Sequence, residues 1–122
     1  MKGIKMNKSL LTATLLGSLL TGCATTKTQY YWGEYEQLIY QTYHTPGEAT
    51  PIVQIEKLEA DISKAAEAGM PIPPGLYAHL GLMYASNGNK SMALASLQKE
   101  KELYPESATF IDGLIKRSSE NG

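Results

Sequence analysis

Six prolines stand at positions 46, 51, 71, 73, 74 and 105, and they punctuate everything downstream of residue 45. Proline gives up its backbone donor and restrains the residue before it, so a helix accepts it only in the first turn. The chain is thereby cut into pieces of helix length, and no alternating apolar and polar stretch of useful length offers a strand instead. These facts predict an all-α fold of short helices. Thr50-Pro51 reads as an N-cap followed by a first-turn proline, and Ile52, Ile55, Leu58, Ile62 and Ala65 form an apolar stripe that ends at Gly69. Upstream, Tyr31, Tyr35, Leu38, Ile39 and Thr42 recur at helical spacing, which predicts a helix from Tyr31 to about Tyr43, broken by His44-Thr45-Pro46-Gly47. Glu56, Glu59, Asp61 and Glu67, with Lys57 and Lys64 among them, predict a solvated face on the second helix.

Between Pro74 and Pro105 the chain carries its most specific pattern. Tyr77, Leu80, Gly81, Tyr84, Gly88, Ala93, Leu97 and Pro105 stand in an order that resembles the tetratricopeptide repeat, a helix-turn-helix unit of about 34 residues. Each type has a packing reason. Gly81 lets two antiparallel helices approach, with Ala93 as the small residue opposite and Leu97 as the large one a turn later. Gly88 takes the turn, and Asn89 is placed to cap the second helix. Glu100 stands where the repeat usually has a small residue packed on the next helix, which predicts loose stacking there. Residues 108 to 117 read as one closing helix with Ser107 as its N-cap. The expected architecture is a short tetratricopeptide-like array of helical hairpins: one degenerate hairpin, one recognisable repeat at 74–107, and a C-terminal capping helix. The resemblance implies a concave groove lined by the inner helix, where Gly75, Ala78, Leu82, Ala85 and Ser86 would form a small, apolar floor.

The N-terminal stretch predicts an address. Lys2, Lys5 and Lys8 precede an uncharged run from Leu10 to Leu20, too short for a bilayer span of roughly 20 residues but of the right layout for a secretory signal. Leu20-Thr21-Gly22-Cys23 resembles the lipobox of bacterial lipoproteins, in which the cysteine sulfur takes a diacylglyceryl thioether and small residues admit the processing peptidase. That resemblance implies a signal peptide over 1–22, a lipidated Cys23, a tether to residue 29 and a helical domain over 30–122. Two or three acyl chains, each methylene contributing roughly 0.8 kcal/mol, anchor the chain lastingly where one would not. Ala24, in place of an aspartate, implies the outer membrane, with the domain on its periplasmic side.

Composition narrows the function. Lys and Arg total 11 against 12 Asp and Glu, and Lys2, Lys5 and Lys8 all precede Cys23, so residues 23–122 carry 11 − 3 = 8 basic against 12 acidic groups. A phosphate-gripping nucleic-acid binder is disfavoured. With Cys23 as the single cysteine, no internal disulfide or cysteine-built metal site is available, and no metal or cofactor is expected. His44 falls in a loop and His79 on the inner helix, each read as a surface residue. No nucleophile-elbow, phosphate-loop, dinucleotide or zinc-protease motif occurs, so neither an enzyme nor a small-molecule substrate is expected.

Tyr30, Tyr31, Trp32, Tyr35, Tyr40 and Tyr43 crowd six aromatic side chains into fourteen positions. One reading packs them into the groove from within. The other leaves Trp32, Tyr31 and Tyr35 to meet a protein partner or a glycan strand, joined by Ala78, Leu82 and Ala85 of the groove.

Tyr30-Tyr31-Trp32-Gly33, Pro73-Pro74-Gly75-Leu76-Tyr77-Ala78 and Glu100-Lys101-Glu102-Leu103-Tyr104-Pro105-Glu106-Ser107 together resemble a family of small Gram-negative lipoproteins whose shared domain has no assigned activity. The resemblance implies a link to a lipoprotein similar to the curli-secretion channel (CsgG-like), whose gene often lies beside those of the family. The expectation is an envelope adaptor or assembly factor, with a cell-wall glycan binder as the alternative.

Overall fold

The computed structural model describes residues 27–120, together with Gly3. The expected signal and the anchoring Cys23 lie outside the described residues. Five α-helices follow one another: α1 (Tyr35–His44), α2 (Pro51–Glu67), α3 (Leu76–Ser86), α4 (Lys90–Leu103) and, after a 3-10 turn at Pro105–Ser107, α5 (Ala108–Glu120). No strand occurs among the described residues, and the fold is all-α as the proline punctuation predicts.

α3 is the centre of the molecule. It holds no Asp, Glu, Lys or Arg, and it is covered on two sides. On one, Leu76, Leu80 and Tyr84 meet Leu38 of α1 and Ile55, Leu58 and Ala65 of α2; on the other, Ala78 packs with Leu97 of α4 and Ile111 of α5. A helix buried on more than one face has little use for a polar stripe. α3 and α4 form the hairpin the sequence pattern calls for. A Cβ on Gly81 would lie 2.9 Å from Leu97 Cγ and 3.0 Å from the Ala93 carbonyl, so only glycine permits this approach. Gly88 turns the chain with φ +80°, and Asn89 Oδ1 accepts the Met92 amide at 3.1 Å to cap α4.

Four details depart from the sequence reading. The first helix begins at Tyr35, because residues 30–34 form an irregular strap instead: the Tyr31 amide donates to the Pro71 carbonyl at 2.8 Å, and Gly33 turns with φ +47°. Ile52, expected in the apolar stripe, is exposed at the start of α2. Ser107 does not cap α5; its hydroxyl donates back to the Tyr104 carbonyl at 2.7 Å, inside the 3-10 turn. The stacking of α5 is not slackened by Glu100, which faces α3 and leaves Ile111 fully buried against Ala78 and Leu97.

Candidate functional site

The aromatic end is assembled on the proline-rich connection between α2 and α3. Met70-Pro71-Ile72-Pro73-Pro74 cannot form a helix and offers its carbonyls to neighbours. Tyr31 reaches Pro71 through its amide, while the Tyr104 hydroxyl, at the end of α4, donates to the Ile72 carbonyl. Tyr30 lies between these two holds. Its ring stands edge-on to Trp32 and to Tyr104, each at 6.4 Å between centroids, and Trp32 stacks on Tyr35 at 6.4 Å. Tyr35 in turn approaches His79 at 5.8 Å. The result is a continuous arc of rings from Tyr104 to His79.

The arc divides the aromatic cluster between core and surface. Tyr31 and Tyr35 are half-buried against the main core, whereas Trp32 retains 37% of its surface and Tyr43 retains 80%. Burial, seconded by the nearby Glu100 charge, raises the Tyr35 hydroxyl above its ordinary pKa. Burial raises Tyr104 as well, with Tyr30, Glu100 and Glu106 adding to it.

Two buried carboxylates hold this end in place. Glu100, only 1% exposed, accepts the Gly75 amide at 2.7 Å and the Ala78 amide at 3.3 Å, satisfying donors that the start of α3 would otherwise leave unpaired. Asp61, 2% exposed, accepts the Glu34 amide at 2.9 Å and lies against Gly33 so closely that a Cβ there would collide with the carboxylate. Desolvation raises the Asp61 pKa, although the Glu34 amide opposes the shift. The expected solvated face of α2 is therefore interrupted at Asp61; Glu59 stays exposed, accepts the Tyr84 hydroxyl and through that bond pushes it up to about 12.

His79, expected at the surface, is half-buried. Gln54 gives its amide to the Ala49 carbonyl at 2.6 Å, so its oxygen is left to accept from His79 Nε2 at 2.7 Å and from the Thr42 hydroxyl at 3.4 Å. The bond places a proton on Nε2, and burial, which lowers the His79 pKa, favours the neutral ring over the charged one. His44 stacks on Tyr40 and sets Nδ1 2.9 Å from the Tyr40 carbonyl. Among the described residues, no group of three His, Cys, Asp or Glu is placed to hold a metal ion.

A second feature opens at the other end of α3. A cavity of about 480 Å³ lies between α3, α4 and α5, floored by Leu82, Ala85, Leu94, Leu97, Leu114 and Ile115. Lys90 stands at one rim and Ser118 and Ser119 at the other. Of the five groove residues expected from the sequence, Leu82 and Ala85 line this cavity, whereas Gly75 and Ser86 lie outside its lining. So does Ala78: it is buried beneath α4 and α5, since Leu97 and Ile111 need a small residue there. Trp32, Tyr31 and Tyr35 are gathered at the opposite end of the domain. The contributions of Leu94, Leu114 and Ile115 escaped the sequence reading, although each is an apolar residue of a helix.

The chain belongs to the family described as Domain of unknown function (DUF4810), which it matches over residues 29–114. That span takes in the strap, the four helices α1 to α4 and the first half of α5. Searches of curated proteins and of solved structures found no match.

Proposed function

We propose that this protein is a lipoprotein, held through Cys23 at the periplasmic face of the outer membrane, whose helical domain serves as an adaptor or assembly factor for another envelope protein. Recognition, not turnover, is its task. The observation that carries the reading is the apolar groove between α3, α4 and α5. In a tetratricopeptide-like succession each helix is flanked by those before and after it. Here α5 is covered along its Ile111 side, while Leu114 and Ile115 face the open groove with Leu82 and Leu94. An amphipathic helix from a partner completes the succession, its apolar residues at i, i+3, i+4 and i+7 entering the groove. Lys90, which lines the groove, favours an acidic residue beside that stripe. By the family resemblance, a lipoprotein similar to the curli-secretion channel is the first candidate.

The test is affinity purification of the acylated protein from membranes, compared with a Leu82→Glu variant. Leu82 is exposed, so the variant is expected to keep its thermal midpoint while losing the partner by at least roughly tenfold, as a charge in a desolvated groove requires. Undiminished capture by Leu82→Glu would refute the groove as the site. A Cys23→Ser chain that still fractionates with the membrane would refute the anchor.

A further inference from the structure

The tether joins the domain at its aromatic end and limits how far that end can stand from an anchored Cys23. Six residues, Ala24 to Gln29, separate Cys23 from Tyr30. Fully extended, the steps from Cys23 to Tyr30 span roughly 25 Å, about one domain width. The chain enters the domain beside Tyr30, which contacts Trp32 on one side and Tyr104 on the other. Leu103, next to Tyr104, is exposed. The groove residues Leu82 and Ala85 belong to the far half of α3, a helix of 11 residues and so about 16 Å long. The domain is thus polar in its layout, with rings at the tether and the groove away from it.

We propose that the Tyr30, Trp32 and Tyr104 end, with Leu103, rests on the surface of the bilayer that holds Cys23, its rings at headgroup depth. The proposal rests on the lipoprotein reading above. Trp and Tyr suit this place because each joins an apolar ring to a polar N–H or O–H, and so satisfies both sides of a lipid–water boundary. Charge does not draw the surface down: Glu34 pairs with Lys57 at 3.4 Å and Glu102 with Lys99 at 3.1 Å, and Lys27 offsets Glu106, so the surface carries no net charge. The contact is therefore with the headgroup and upper acyl region of neutral phospholipid, and it is insensitive to salt. The strap gives the rings a firm base, because Pro71 and Asp61 hold its backbone from beneath.

Trp32 is the single tryptophan, so its fluorescence reports this surface directly. The acylated full-length protein is reconstituted in vesicles of phosphatidylethanolamine with a minor share of phosphatidylglycerol, with and without bromine on the upper acyl chain. The expected result is emission at shorter wavelength than that of the Cys23→Ser chain in buffer, and about twofold quenching by the brominated lipid, unchanged by salt. Protein that floats with the vesicles while Trp32 emits and resists bromine as it does in buffer would overturn the proposal and leave the anchor intact. Protein that carries no acyl group and does not float would overturn both. If isolated cell wall shifts the emission of the Cys23→Ser chain and lipid does not, the rings are a glycan platform and the membrane proposal is wrong.

Discussion

At the scale of the residue, Glu100 does what no neighbour in sequence can do for α3. Gly75 precedes that helix and has no side chain to cap it, so a carboxylate 25 residues further on supplies the acceptors. Glu100→Ala leaves two amides without partners at a buried helix start and is expected to cost about 2–3 kcal/mol in urea unfolding. Glu100→Gln keeps one acceptor oxygen and is expected to cost less than half as much. Equal losses from the two variants would mean that packing, not capping, is what Glu100 provides. Its role was not legible beforehand because repeat registers describe which side chains face which helix, and a cap is a relation between a side chain and distant backbone. Asp61 was misread for a related reason: the amide it accepts belongs to the strap, which helical periodicity treats as helix.

At the scale of the element, the α3–α4 hairpin was almost wholly legible. Its determinants are local and steric: Gly81 against Leu97, Gly88 in the turn, Asn89 on the Met92 amide. The attachment of α1 was legible at Leu38, which enters the core, but not at Gln54, a residue with no periodic signature. Gln54 joins Thr42 of α1 to His79 of α3 and to the loop at Ala49. This junction has a pH dependence of definite sign. Burial holds the His79 pKa below about 6.5, the value of an unfolded chain, so acid protonates the unfolded state first. Stability is full above that value and falls as pH drops through the window beneath it. Thermal midpoints measured from pH 7 to pH 5 are expected to decline in the parent and to flatten in His79→Gln, which retains a donor for Gln54 and cannot charge. Asp61 acts with the opposite sign at lower pH, since a raised carboxyl pKa means that protonation relieves a cost of folding. The difference between parent and His79→Gln isolates the imidazole. A slope unchanged by the substitution would place the acid sensitivity elsewhere.

At the scale of the whole molecule, the proline-rich connection is gripped by parts of the chain that lie far apart in sequence. Tyr31 holds Pro71 from the N-terminal side and Tyr104 holds Ile72 from the end of α4. Repeat arrays often unfold from their ends, because each unit touches only the next. This grip predicts a single transition instead. Trp32 fluorescence follows the strap and far-ultraviolet circular dichroism follows the helices, and the two denaturation curves are expected to coincide. Separate midpoints would show the strap leaving first.

The same grip settles the direction in which such an architecture can be extended. An extra hairpin inserted between α2 and α3 would carry Pro71 and Ile72 away from one of their two holders, so that junction is sealed. Among the described residues no segment crosses the open side of α5, and Leu114 and Ile115 already face where the next coil would lie. Growth by added units is thus one-sided, and on the reading proposed above a partner's helix would take the berth that a further repeat would fill.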